Sequence, residues 1–129
     1  MPGFTRTPFD SFMDRHVEVT NGKSFYARLA GTTQIDQGTP RQWAIADLRP
    51  QDELQLMPEP DNPADPNAIR VLAPDGRHVG YLEARLAGET VRRTRKSIVT
   101  RAFVSNLTGG RAGQTLGCTL GVLVYDPAV

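Results

Sequence analysis

The sequence has few of the residues that build metal centres and disulfides. Its 129 residues include one cysteine, Cys118, and two histidines, His16 and His78, which lie far apart. A single cysteine excludes an internal disulfide and any zinc site with several cysteines. No Cys, Asp or Glu cluster with metal-ligand spacing surrounds either histidine. We therefore expect no metal and no cofactor.

Long apolar segments are also missing. No run approaches the roughly 20 apolar residues of a membrane helix, and residues 1–15 have no apolar signal-peptide core. Cys118 lies in an apolar stretch, where a thiol usually behaves as a small hydrophobe. These features predict a cytoplasmic protein without a membrane partner, associated with the nucleoid if it binds DNA. They leave its oligomeric state open.

Net charge is only +1 and aromatic residues make up 7% of the chain, so overall charge predicts neither a nucleic-acid binder nor an enzyme for acidic substrates. The distribution is more informative, since residues 47–65 are mainly acidic and residues 83–101 mainly basic. One end of the fold can be acidic and another basic, or both segments can be ordinary solvated faces.

Motifs of known enzyme classes are absent from the sequence. It contains no nucleophile elbow, Walker loop or dinucleotide-binding fingerprint. Gly109, Gly110 and Gly113 lie within a predicted hairpin and do not open a helix, so they do not form a phosphate loop. We expect a protein that is not an enzyme, with a metal-assisted hydrolase that uses the acidic loop as a minor alternative.

Residues 54–82 predict a three-stranded meander with a stiff polar loop. Short apolar segments at residues 54–57, 68–72 and 78–82 have the alternation of strands. Residues 58–67 carry four of the ten prolines, which fix φ and exclude helix, and their Asp and Asn side chains favour Asx-turns. Residues 73–76 (APDG) predict a tight turn. We expect Ile69, Val71, Val79 and Tyr81 on one face.

The remaining segments complete a small β-rich domain. Residues 1–16 predict an irregular arm, docked by Phe4, Phe9 or Phe12, and Asn21-Gly22 predicts a hairpin turn between strands at 17–20 and 25–29. Residues 42–48 predict a short helix that buries Trp43 or Ile45. A longer helix is expected at 82–95, and strands at 98–105 and 118–125. The fold class is mainly β, marginally α+β: an OB-like or SH3-like barrel of about six strands with one or two helices, formed by residues 17–126.

A basic cluster follows the meander. Its arginines can contact phosphates, and Tyr81 can stack on a base as small barrels do when they bind single strands. A tyrosine in a strand is more often part of the core, so both interpretations remain open here. The candidate phosphate ligands are Arg85, Arg92, Arg93 and Arg95.

Residues 59–71 (EPDNPADPNAIRV), followed by VGYL at residues 79–82, resemble a HIRAN domain. The family has a polar Pro-Asn-Pro loop with an Asp, then an Asn-Ala-Ile-x-Val strand, a hairpin and Val-Gly-Tyr/His-Leu before a helix. The resemblance implies an OB-like barrel, found alone in bacteria and fused to fork-remodelling helicases in eukaryotes.

The resemblance also implies a ligand. In the fused proteins the domain captures the 3′-hydroxyl end of single-stranded DNA, stacking its bases on aromatic side chains while an Asp accepts a hydrogen bond from the hydroxyl. Asp65 matches that Asp and Tyr81 the aromatic or His after Val-Gly, while Asn62 would shape the pocket. Two stacking aromatics are replaced, one by Ala64 and the other by Thr33 or Gln34.

We therefore expect a nucleic-acid-binding domain that prefers single-stranded DNA with a 3′-hydroxyl end and serves DNA repair or replication. The alternative is a protein-interaction module that uses the acidic loop or an open barrel edge and does not bind DNA ends.

Overall fold

The structure is a computed structural model, and it describes residues 6–129. Within these residues three helices and eight strands follow one another. In order they are α1 (Pro8–Thr20), β1 (Lys23–Ala30), β2 (Ile35–Asp36), β3 (Thr39–Pro40), α2 (Arg41–Ala46), β4 (Glu53–Pro58), β5 (Ile69–Leu72), β6 (His78–Leu82), α3 (Ala84–Arg95), β7 (Val99–Gly109) and β8 (Leu116–Tyr125).

Six strands close into an antiparallel barrel in the order β1-β6-β5-β4-β7-β8, with β1 pairing β8 to complete it. The predicted small β-barrel is confirmed. Its interior is filled by β-branched and leucine side chains, among them the fully buried Ile69, Val71, Val79, Val104 and Leu120. Closure removes the open barrel edge that we considered as a protein-binding surface. The short strands β2 and β3 pair only with each other.

The central meander is confirmed as β4, β5 and β6, but the predicted position of Tyr81 is wrong. We expected Tyr81 to share a face with Ile69 and Val71. Instead Tyr81 lies opposite Arg70, and Val71 lies opposite Gly80. Residues directly opposite on antiparallel strands share a face, so Tyr81 stands on the outside of the barrel beside Arg70, which is exposed.

The predicted irregular arm is wrong for residues 8–16, which belong to α1. Thr7 caps this helix in a capping box with Asp10, and Pro8 follows at the first helical position. Phe9 and Met13 are buried against Phe103 of β7 and Leu123 of β8. The part of the prediction that covers residues 1–5, including Phe4, lies outside the described residues.

The predicted strand at 17–20 is also wrong, because these residues form the last turn of α1. Val17 packs on the same cluster as Phe9 and Met13, so helical spacing decides over the Val17-Val19 alternation. Asn21 ends the helix in the left-handed region at φ 53°, and the expected hairpin turn is therefore a helix cap. The docked helix needs Gly121, since a Cβ there would overlap the ring of Phe9.

The other two helices are close to their predicted positions. In α2, Ile45 is fully buried and Trp43 is 64% exposed, so Ile45 is the anchor of the two that we considered. Helix α3 occupies residues 84–95 and leads into β7. Strands β7 and β8 are longer than expected and form a ten-pair ladder that begins at Gly109 and Leu116.

Candidate nucleic-acid interface

The polar loop between β4 and β5 is shaped by two side chains. The Asn62 Oδ1 accepts hydrogen bonds from the amides of Ala64 at 2.9 Å and Asp65 at 3.2 Å. Asp65 Oδ1 in turn accepts one from the Asn67 amide at 2.9 Å. These are the expected Asx-turns. Together with the four prolines they leave the loop few alternative conformations.

Glu59, which sequence reasoning missed, joins this loop to the barrel. Its carboxylate accepts hydrogen bonds from Asn62 Nδ2 at 3.0 Å, Tyr81 Oη at 2.8 Å and Arg70 Nε at 2.7 Å. Burial raises the pKa of Glu59, but these three donors outweigh it and hold that pKa below its usual value. The carboxylate is therefore ionised at neutral pH and fully occupied.

Tyr81 stands between the loop and the outer surface of the barrel. Its ring is half-buried, and burial together with the bond to Glu59 raises the pKa of its hydroxyl. The ring borders a surface depression of about 520 Å³ whose other walls are residues 58–63 of the loop. In this depression the loop meets an accessible aromatic side chain.

A second group of side chains packs against the Tyr81 ring. The Arg41 side chain is 8% exposed, and its guanidinium lies 5.3 Å from the ring centroid. That guanidinium donates to Asp36 at 2.8 and 3.0 Å and to the Gly31 carbonyl at 2.8 Å. The His78 ring meets Tyr81 edge-on at 5.0 Å. Burial and the Arg41 charge hold the pKa of His78 below its usual value.

Thr33 and Gln34 lie in an exposed turn next to this site. The turn begins at Gly31, whose φ is +64° and where a Cβ would stand 3.7 Å from the Tyr81 ring. The backbone carbonyl of Gln34 accepts a hydrogen bond from the Arg41 amide at 3.0 Å. The start of the turn, at Gly31, is thus close to Tyr81. Asp65 donates its backbone amide to Asn62 Oδ1 and does not border the depression.

The predicted phosphate ligands of α3 do not converge on Tyr81. Arg85 and Arg93 lie 3.5 and 3.6 Å from Glu89, and the Arg93 guanidinium stands 6.0 Å from the ring centroid of Phe25. Arg95 borders an apolar groove between α3 and the barrel. Arg92 is exposed. None of the four borders the depression.

Comparison with known families matches residues 22–119 to the HIRAN domain. The chain belongs to the HIRAN family. HIRAN domains are known as DNA-binding domains. The match begins after α1, so this helix is outside the part that the family shares.

Two solved structures share the HIRAN fold of this chain. One is the HIRAN domain of human HLTF, which is 21% identical with a TM-score of 0.56, over 80% of this chain and 77% of that one. The other is a protein from Lactobacillus plantarum, which is 18% identical with a TM-score of 0.56, over 80% of this chain and all of that one. No curated protein matches.

Residues 6–129 contain no group of three or more His, Cys, Asp or Glu side chains placed to hold a metal ion. No helix within them has both the length and the apolar character needed to span a membrane.

Proposed function

We propose that this HIRAN domain binds single-stranded DNA and prefers strands that end in a 3′-hydroxyl. The observation that carries the proposal is the depression in which the half-buried Tyr81 ring meets the family's polar loop. A base that stacks on Tyr81 would bring its sugar against that loop. Stacking on aromatic side chains is how sequence-tolerant single-strand binders hold bases.

Asp65 supports recognition of the terminal hydroxyl. One of its carboxylate oxygens, Oδ1, is engaged by the Asn67 amide, while Oδ2 accepts no hydrogen bond from any residue between 6 and 129. An ionised carboxylate is a strong acceptor for a hydroxyl. Because Asn62 binds the Asp65 amide and also borders the depression, the sugar of a stacked nucleotide would approach Asp65 past Asn62.

The acidic loop supports discrimination against a 3′-phosphate. Glu59 and Asp61 border the depression, and the nearest strand cation, Arg70, already pairs with Glu59. A terminal phosphomonoester carries about two negative charges at neutral pH, which these carboxylates would repel. A hydroxyl brings no charge and would be tolerated.

We expect the affinity to be modest. Ala64 and the Thr33-Gln34 turn occupy the two positions where the resemblance implies stacking aromatics. Each stacked base contributes about 1–3 kcal/mol, so one platform, Tyr81, would leave a binder that depends on several weak contacts. A domain of this kind would capture ends without catalysing their chemistry, in DNA repair or replication.

Fluorescence anisotropy tests the proposal with two oligonucleotides that share a 5′ label and sequence and differ only in a 3′-hydroxyl or 3′-phosphate. We expect tighter binding of the hydroxyl form. Asp65→Asn keeps an oxygen for the Asn67 amide but puts an amide donor in place of Oδ2, so it should remove the preference while the fold persists. Asp65→Ala should remove the preference and also the hydrogen bond to the Asn67 amide. Equal binding of the two oligonucleotides at low salt would reject end recognition.

A protein-interaction module remains the second candidate, and two exposed side chains favour it. Trp43 and Ile35 are both 64% exposed, on α2 and on β2 beside it, and exposed tryptophan is enriched at interface hot spots. Under this alternative Trp43→Ala abolishes partner binding, Asp65→Asn does not, and neither variant alters DNA binding.

A further inference from the structure

Strand register identifies a row of side chains that continues outward from Tyr81. Ala30 on β1 is the Cα partner of Tyr81 on β6, and Tyr81 is the partner of Arg70 on β5. Because alternate residues of a strand share a face, Arg28 and Tyr26 follow Ala30 on the face that carries Tyr81. We call these five residues the outer row.

Arg28 is the cation of this row that is free to bind. It is exposed, and within residues 6–129 its side chain has no ion pair or hydrogen bond, whereas Arg70 is paired to Glu59. Gly117 of β8 lies beside it, since a Cβ there would stand at an ordinary contact distance of 3.5 Å from Arg28 Nη2. The two-residue step from Ala30 to Arg28 is roughly 7 Å, comparable to one nucleotide of an extended strand.

Tyr26 is an aromatic platform one step further along β1. Its side chain is 55% exposed, and its hydroxyl donates to Asp10 of α1. The ring also contacts Phe9, with ring centroids 6.1 Å apart. A ring that is held at one edge while much of its surface faces solvent needs little ordering when a base stacks on it.

We propose that a bound single strand runs from Tyr81 along β1, so that Arg28 contacts a phosphate close to the 3′ end and Tyr26 supports a base beyond it. This inference rests on the proposed function and extends it, because it makes the ligand a short stretch of strand with a defined path. The alternation of cations and aromatic rings along that path is the pattern of single-strand grooves.

Removing the Arg28 charge tests the phosphate contact. We expect Arg28→Ala to weaken binding to a 3′-hydroxyl oligonucleotide about three- to tenfold and to reduce the slope of log affinity against log salt by about 0.7, the value for one phosphate of a single strand. Arg49→Ala is the matched control, since it removes an exposed arginine that follows α2 and does not border the depression, and it should change neither quantity by much.

Neutral methylphosphonate linkages locate the contact. With one such linkage at each of the first four positions from the 3′ end in turn, one position should weaken wild-type binding as much as Arg28→Ala does and show no further loss in that variant. Tyr26→Leu should abolish the gain in affinity when the oligonucleotide is lengthened past that position, whereas Tyr26→Phe, which loses only the bond to Asp10, should keep it. Circular dichroism checks that each variant is folded.

The results separate this inference from the proposed function. If the 3′-hydroxyl preference is present but no linkage couples to Arg28, the path along β1 is wrong and end recognition stands. If Arg28 couples to a linkage while hydroxyl and phosphate ends bind equally, the path stands and end recognition is wrong. If no single-stranded DNA binds at low salt, both are overturned, as the path also is if Arg49→Ala matches Arg28→Ala.

Discussion

Helix α3 and the outer row are two positively charged regions that differ in how their charges are used. The last turn of α3 holds three arginines, Arg92, Arg93 and Arg95, yet Arg93 is engaged with Glu89 and Phe25. None of the three borders the Tyr81 depression. The outer row has a single unpaired cation, Arg28, aligned with Tyr81 by strand register. If the proposed path is right, the alignment of a charge with an aromatic platform matters more for DNA binding than the number of charges.

The largest expected effect comes from the close approach of β1 to β6 at Gly80, next to the Ala30–Tyr81 pair of the outer row. A Cβ at Gly80 would overlap the Ala30 carbonyl oxygen and press on the Leu29 side chain, forcing β1 and β6 apart. Backbone cannot give way as a flexible side chain can, so we expect Gly80→Ala to destabilise the domain by about 1–3 kcal/mol or more. Urea unfolding followed by circular dichroism measures the change.

Gly88 in α3 provides the matched control. Its Cβ would stand 3.5 Å from Arg92 Nη1, an ordinary contact, and alanine favours a helix over glycine by about 1 kcal/mol. Gly88→Ala should therefore stabilise the domain and leave DNA binding unchanged. A Gly80→Ala protein as stable as wild type would show that the close approach of β1 to β6 is not needed.

Tyr81 carries the next largest effect, and this effect is on binding. Tyr81→Leu removes the platform, and we expect it to weaken single-stranded DNA binding by about 1–3 kcal/mol, a loss that anisotropy readily measures. Tyr81→Phe keeps the ring but gives up the bond to Glu59, so it should bind DNA with a much smaller loss. Equal losses in the two variants would mean that the hydroxyl acts, not the ring.

The loop, the meander and α3 could be predicted because their information is local. Four prolines and the Asx side chains define the loop, and alternation defines each strand. The start of α1 is also encoded locally, since Thr7 and Asp10 form a capping box and Pro8 follows the cap. The Val17-Val19 alternation near its end, however, is typical of a strand. What decided in favour of helix was the burial of Phe9 and Met13 on the barrel, which is tertiary information.

The surroundings of Tyr81 could not be predicted for a related reason. Arg41 and Asp36 are on different elements. Their pairing beside the Tyr81 ring depends on the conformation of the turn at Gly31, whose carbonyl also accepts from Arg41. The face of Tyr81 depends on β5–β6 register, which shifts between Val71 and Leu72. A one-residue shift exchanges the faces of a strand. Its local sign in the sequence is Gly80, which pairs with Val71 at the shift, since an isolated glycine in a strand often marks a bulge.

A substitution at Ala64 in the polar loop is expected to raise the affinity for DNA beside Tyr81, which no charge added to α3 would do. Ala64 is exposed, and its amide alone holds it to Asn62, so a larger side chain can be added without disturbing the loop. Ala64→Tyr should add a second platform and strengthen single-stranded DNA binding by about 1 kcal/mol. Ala64→Leu, which adds bulk without an aromatic face, should bring little, and an equal gain in both variants would rule out stacking.

The smallest effect is a pH dependence that comes from His78, which packs against Tyr81 of the outer row, and that α3, which contains no histidine, does not share. His78 lies between Asp36 at 3.4 Å and the Gly80 carbonyl at 2.8 Å, and its pKa is lowered by burial and by Arg41. Below the ordinary value of about 6.5, the unfolded chain therefore binds a proton that the folded chain does not. As pH drops from about 6.5 to the folded pKa of His78, the free energy of unfolding should fall by at most about 1.4 kcal/mol per pH unit. Below the folded pKa it should level off. Urea unfolding between pH 5 and 8 measures the slope. His78→Gln should remove this component, and a slope that is unchanged in His78→Gln would assign it to other groups.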